Sequence, residues 1–179
     1  MKRLIAAVAL SAALAAPAFA ALQPGAKAPD FATTAWLDGK PAPFRLSEAL
    51  KKGPVVLYFF PAAFTDGCTI EAREFALASP EFRAMGATVV GVTAGNTDRL
   101  AEFSKSECRD QFAVAAVSKD TIKAFDATLA IKPDLSGRTS YVIDTDGKVL
   151  FAYSNLTNPV EHVTRTKAAV KAWKAARGK

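Results

Sequence analysis

Two side chains in this sequence could act as soft nucleophiles, or exchange electrons as a pair: Cys68 and Cys108, the two cysteines among 179 residues. A thiol attacks as its thiolate, so a reactive cysteine needs surroundings that favour the anion. The amides left free in the first turn of a helix, together with the positive end of its dipole, are such surroundings. Cys68, Ala72, Phe75 and Ala76 share one face, which predicts a helix from about Gly67 to Ser79 with Cys68 in its first turn. Thr65 or Asp66 is placed to accept the first free amides. A free cysteine titrates near ~8.5, and a helix N-terminus with a nearby cation brings such thiols to roughly 3.5–7.5. That cation has to come from elsewhere in the chain. A lone cysteine on an apolar helix face is more often an inert core residue, so its neighbours decide between the readings.

The composition narrows the chemistry. Half the residues are hydrophobic (50%) and 22% are charged, which suits a folded domain and excludes a disordered chain. Two cysteines are too few for a disulfide-dense scaffold, and two thiols with one distant histidine do not supply a closed zinc site, so no metal is expected. His162 has no cysteine or carboxylate at ligand spacing and is read as structural. The formal net charge of +6 includes Arg165, Lys167, Lys171, Lys174, Arg177 and Lys179 near the end of the chain. Val163, Val170 and Trp173 can share a face there, so the expectation is a docked terminal helix with a solvated basic face rather than a nucleic-acid surface.

Lys2 and Arg3, the uncharged stretch Leu4 to Ala16, and Ala18-Phe19-Ala20 have the form of a cleavable signal peptide over residues 1–20, cut after Ala20. The apolar run is shorter than the roughly 20 residues of a spanning helix, so stable membrane association is not expected. Location is then periplasmic or secreted, in an oxidising compartment where a disulfide persists. Residues 21–179, without internal repeats, form a single domain.

Several elements must position the two thiols. Val55 to Phe60 is a continuous β-branched and aromatic run, predicting a central strand buried on both faces. Asp38-Gly39 predicts a hairpin turn, and Ser47 caps a short helix over Glu48 to Lys52. Ala87 to Thr93 and Phe112 to Val117 are further strands. Between them, Leu100, Ser104 and Cys108 recur every four residues, predicting a helix from Asp98 to about Gln111 with Cys108 pointing partly inward. A short helix over Asp120 to Ala127, a hairpin of Thr139 to Asp144 with Lys148 to Tyr153, and a last helix from about Pro159 to Ala176 complete the order. Trp36 and Phe44 are expected to cover the sheet edge. The fold class is α/β, a mixed central β-sheet flanked by helices in a thioredoxin-like layout.

Pro61-Ala62-Ala63-Phe64-Thr65-Asp66-Gly67-Cys68 resembles the P-x-x-x-T-x-x-C pattern of the peroxiredoxins, and Gly67-Cys68-Thr69-Ile70-Glu71-Ala72 is similar to the peroxiredoxin Q (bacterioferritin-comigratory protein) branch. The stretch from Pro24-Gly25 to Phe31 resembles the family's opening segment, and Arg138 to Asp144 resembles one of its strands. The likeness covers nearly all of residues 22–176.

The resemblance implies a thiol-dependent peroxidase for hydrogen peroxide and small organic hydroperoxides, with no cofactor. Cys68 would be the peroxidatic thiolate, and Thr65 would place its hydroxyl on the peroxide oxygens. Arg138 would hold the thiolate and the charge growing on the leaving oxygen, while Pro61 would screen the pocket from water. Glu71 either orients an arginine, as in this branch, or is an acidic residue favouring a helix N-terminus. Many members carry a resolving cysteine five residues after the first, where this chain has Arg73. Another set places it in the helix after the next strand, so the resemblance implies an intramolecular Cys68–Cys108 disulfide, with loss of order around both cysteines on oxidation. A permanent structural disulfide or a buried spectator at Cys108 are the alternatives. The reductant would be a dithiol partner, thioredoxin-like or glutaredoxin-like, and the protein a monomer. Two rival functions remain: a peroxide sensor that reacts once and binds a client, and a general thiol-disulfide oxidoreductase. Cys68 lacks the C-x-x-C form of the latter.

Overall fold

The computed structural model describes residues 21–177, so the leader expected over residues 1–20 lies outside the described residues. The chain forms β1 (Ala32–Leu37), β2 (Lys40–Arg45), α1 (Leu46–Leu50), β3 (Val55–Phe59), α2 (Asp66–Ala84) and β4 (Thr88–Thr93). It continues with α3 (Leu100–Ser106), β5 (Ala113–Ala116), α4 (Lys119–Ala124), β6 (Thr139–Ile143), β7 (Val149–Ser154) and α5 (Pro159–Arg177). Among the described residues one mixed sheet runs in the order β2-β1-β5-β4-β3-β6-β7. β3 pairs parallel with β4 and antiparallel with β6.

The unbroken apolar run of β3 follows from its place between two helical layers. Val56, Tyr58 and Phe60 point into a core shared with α2, α3 and α5, while Val55, Leu57 and Phe59 point into a second core with α1 and α4. Cys68 and Cys108 both lie in the first of these cores. Tyr58 stacks on Phe75 of α2 with ring centroids 4.4 Å apart, fixing the helix over the strand. The outermost strand, β2, contains Pro41 and Pro43, opposite Trp36 and Thr34 of β1. Trp36 and Phe44 are each partly buried against a core.

Of the boundaries that differ from the sequence reading, among them α4 ending at Ala124 rather than Ala127, three have local reasons. α2 runs past Pro80 to Ala84, because carrying the helix on buries Phe82 beside Phe75. It stops where Gly86 takes a φ of +83° and Ala87 N–H donates to Phe82 O at 2.9 Å. α1 starts at Leu46 with no side-chain cap, and Ser47 instead donates its amide to Asp30 at 2.9 Å. The helix expected over Asp98 to Gln111 is a 3₁₀ turn at Thr97–Arg99 followed by α3. Cys108 therefore lies in a turn beyond the helix, where Cys108 N–H reaches back to Phe103 O (3.1 Å) and Asp110 N–H to Ser104 O (3.2 Å). Arg109 and Asp110 close that turn in the left-handed region, with φ of +49° and +57°.

Candidate active site

Cys68 is the third residue of α2, so its amide is among those without an intrahelical partner; the first such bond joins Thr69 N–H to Thr65 O at 2.8 Å. Thr65 occupies the N-cap position with an extended backbone but makes no side-chain cap. Its hydroxyl donates to Ala62 O at 3.1 Å, which leaves its lone pairs free at an exposed position. Pro61 ends β3, and its carbonyl accepts from the Thr93 hydroxyl at 3.1 Å. The loop from Pro61 to Phe64 is held from the neighbouring strand end as well. Gly95 lies so close that a Cβ would come within 2.4 Å of Pro61 O, and Asn96 Nδ2 donates to Ala63 O at 2.8 Å.

Arg138 reaches this helix end through sheet pairing. Phe59 of β3 is opposite Thr139 of β6, so Arg138 stands beside the loop that leads into α2. Its Nη2 donates to Cys68 Sγ at 3.6 Å, Nη1 to Glu71 Oε2, and Nε to Leu156 O at 3.1 Å. The guanidinium packs over Gly67, where a Cβ would come within 2.9 Å of Nη2. Cys68 (1% exposed), Glu71 (0%) and Arg138 (4%) are all buried. Burial opposes the Arg138 charge, but Glu71 and Cys68 beside it hold the guanidinium above its usual value. Burial pushes the Glu71 carboxyl up to about 8, against the pull of the Arg138 charge and hydrogen bond. Glu71 thus meets Arg138, in the geometry of an orienting residue. A donor fixed on the sulfur, carrying full positive charge, stabilises negative charge there and on an oxygen leaving it.

His162 joins this cluster from α5, which its isolation in the sequence did not indicate. Nε2 faces Asn155 O at 2.9 Å and therefore carries the proton, leaving Nδ1 to accept from the Ser140 hydroxyl at 2.8 Å. Nδ1 also lies 3.8 Å from Glu71 Oε1, an oxygen buried without a hydrogen-bond partner. Burial brings His162 down to about 4 from an ordinary 6.5. The unfolded chain thus takes up this proton first, and acidification from pH 6.5 to 4 favours unfolding by about 3 kcal/mol through His162. Glu71, held above its ordinary value, works in the opposite sense over pH 4.5 to 8. Comparing urea unfolding of wild type and His162→Gln at pH 7 and pH 4.5 separates the two: the variant is expected to lose less stability on acidification.

Cys108 is fully buried in the same core, and both cysteines are free thiols. Burial pushes the Cys108 thiol well above its ordinary value, with the charges of Glu107 and Asp110 adding to it. The structure thus brings Pro61, Thr65, Cys68, Glu71 and Arg138 to one end of the sheet. Cys108 lies in the shared core, on a separate turn.

The sequence model of the AhpC/TSA family matches residues 24–152. A Mycobacterium tuberculosis protein provisionally described as a peroxiredoxin is 35% identical over 136 residues, covering 73% of this chain and 86% of the relative. The chloroplastic peroxiredoxin Q of Populus jackii is 34% identical over 150 residues, covering 83% and 68%. Among solved structures, peroxidoxin BcpB from Mycobacterium tuberculosis superposes with a TM-score of 0.75 at 31% identity, over 84% of this chain and 97% of that one. With a cysteine and an arginine meeting at the start of α2 and a family model that extends over both, the chain belongs to the AhpC/TSA family and is a peroxiredoxin, a thiol peroxidase.

Proposed function

We propose that Cys68 attacks hydrogen peroxide and small organic hydroperoxides, and that Cys108 resolves the product. In the first step the Cys68 thiolate takes the terminal oxygen of ROOH; the O–O bond breaks, and the alkoxide or hydroxide leaves as ROH after taking up a proton. In the second, the Cys108 sulfur displaces that oxygen as water, giving the Cys68–Cys108 disulfide. The observation that carries this reading is the Arg138 guanidinium set on Cys68 Sγ while Glu71 and the Leu156 carbonyl hold its other nitrogens. Thr65 is assigned to the peroxide oxygens because its hydroxyl keeps accepting capacity at the exposed mouth of the site. Pro61 is assigned to shield the pocket. Disulfide closure needs Cα atoms within about 4.4–6.8 Å, so the first turn of α2 and the turn carrying Cys108 are expected to loosen on oxidation.

A dithiol protein, thioredoxin-like or glutaredoxin-like, would return the disulfide to two thiols. Monomeric action and export through the leader at residues 1–20 belong to the same reading, the latter supported by the basic start, apolar stretch and Ala18-Phe19-Ala20.

Thiol titration before and after one equivalent of peroxide tests the scheme. A resolving Cys108 costs two thiols per chain, a spectator only one. Cys108→Ser is expected to keep the first step, accumulate sulfenic acid, and turn over with dithiothreitol more slowly while drifting to irreversible sulfinic acid. A protein that reacts once and stays oxidised with every dithiol offered would be a sensor instead.

A further inference from the structure

The residue standing five places after Cys68 has work of its own. Arg73 Nε pairs with Glu107 Oε2 at 2.7 Å, joining the second turn of α2 to the residue next to Cys108. The Glu107 side chain is almost fully covered (9% exposed), and Arg73 is its side-chain partner among the described residues. At the other end of the same turn, Arg83 donates to Gln111 O at 3.0 Å and to Gln111 Oε1 at 2.9 Å. Two arginines of α2 therefore grip residues 107–111 on either side of the buried thiol. Between these grips Arg109 and Asp110 sit at left-handed φ, a conformation that costs each non-glycine residue about 1 kcal/mol or more.

We propose that the Arg73–Glu107 ion pair is a latch that keeps the strained Cys108 turn closed on α2 and thereby sets the rate at which Cys108 resolves oxidised Cys68. Arg73 and Glu107 are positioning residues, acting through the turn and not on peroxide. The latch rests on Cys108 being the resolver. In the reduced protein it keeps the Cys108 sulfur in the core and leaves the first turn of α2 intact for peroxide. To form the disulfide, with water leaving from the Cys68 sulfur and the Cys108 proton lost, the turn must give up its contacts with α2. Any contact present when the turn is shut and absent when it opens slows that step. The charge of Glu107 also disfavours a thiolate at Cys108, and Arg73 neutralises it. The two effects make opposite forecasts for Arg73→Met. Loss of the latch speeds resolution, whereas exposing Cys108 to an unpaired Glu107 carboxylate slows it.

The test uses the reduced chain mixed rapidly with hydrogen peroxide, following sulfenic acid formation, disulfide formation by thiol count and mass, and the peroxide concentration that yields sulfinic acid. Arg73→Met and Glu107→Gln are each expected to leave sulfenic acid formation unchanged and speed disulfide formation by about two- to fivefold, the range of a partly exposed ion pair. Both should tolerate more peroxide before sulfinic acid appears. The double variant should be no faster than the faster single one, and the exchanged pair Arg73→Glu with Glu107→Arg should return towards wild type. Raised salt should speed disulfide formation in wild type but not in Arg73→Met, which reads the latch without any substitution. Unchanged or slower disulfide formation in Arg73→Met, with wild type still forming the Cys68–Cys108 bond, overturns the latch and leaves the resolving role standing. A wild type that forms no such bond overturns both.

Discussion

Replacing Cys68 with serine is expected to end peroxide turnover, lowering it by about four orders of magnitude or more, to the uncatalysed background. Serine fits the same volume at the third position of α2, so the core around Ala72 and Phe75 need not change. It lacks only what the reaction uses: a polarisable sulfur that can attack as its thiolate and carry the transferred oxygen. Arg138 would still have Glu71 and the Leu156 carbonyl to hold it. Loss of activity without loss of fold is thus the expected pair of results, read by peroxide consumption with dithiothreitol and by thermal unfolding. Residual turnover within tenfold of wild type would assign the chemistry to Cys108 and end the reading of this site.

Arg138→Met is expected to slow the first step by about 10²–10³-fold, the usual consequence of removing one fixed donor from developing negative charge. The measurement is the second-order rate of reduced protein with hydrogen peroxide. Lysine should recover little. Arg138 reaches Cys68, Glu71 and the Leu156 carbonyl with three different nitrogens, and one ammonium on a flexible stem does not span them. Removing the guanidinium also leaves the fully buried Glu71 carboxyl without its donor, and an unsatisfied buried polar group costs about 1–3 kcal/mol. Arg138→Met with Glu71→Gln replaces that carboxyl by an amide that can donate to His162 Nδ1, so the double variant should regain stability and stay slow. If its rate also recovers, the single variant had been slow because it was misfolded, and the assignment of Arg138 to the reacting atoms falls.

Local features of the site were legible in the sequence. The run from Val55 to Phe60 could be placed as a strand covered on both sides because no polar residue interrupts it, and Pro61, Thr65 and Cys68 follow it within one loop and one helical turn. β3 lies inside the sheet, although its middle strand is β4. Arg138 is 70 residues from Cys68 and nothing local marks it; the family resemblance singled it out, and the β3–β6 register carries it to the site. His162 could not be placed beside Glu71 from spacing, since that approach depends on how α5 docks on α2 and β6. The spacing of Leu100, Ser104 and Cys108 misled in the other direction. It continues helical periodicity across a point where the backbone leaves the helix, and residues such as Arg109 and Asp110 do not announce a left-handed conformation as glycine would. Likewise the helix expected to end at Ser79 runs on through Pro80, because burial of Phe82 outweighs the proline.

The two prolines of β2 give the sheet unlike borders. Pro41 and Pro43 remove two amide donors from one rim, which makes that rim a poor template for another chain. The opposite rim, β7, runs Val149–Ser154 without proline. Strand-to-strand growth between copies of this molecule is therefore checked differently at its two borders: β2 lacks two of the amides a newcomer would need, and at β7 the segment ahead of β1 has already taken the first place, with Val149 N–H donating to Ala26 O at 2.9 Å and Gly25 N–H to Val149 O at 2.8 Å.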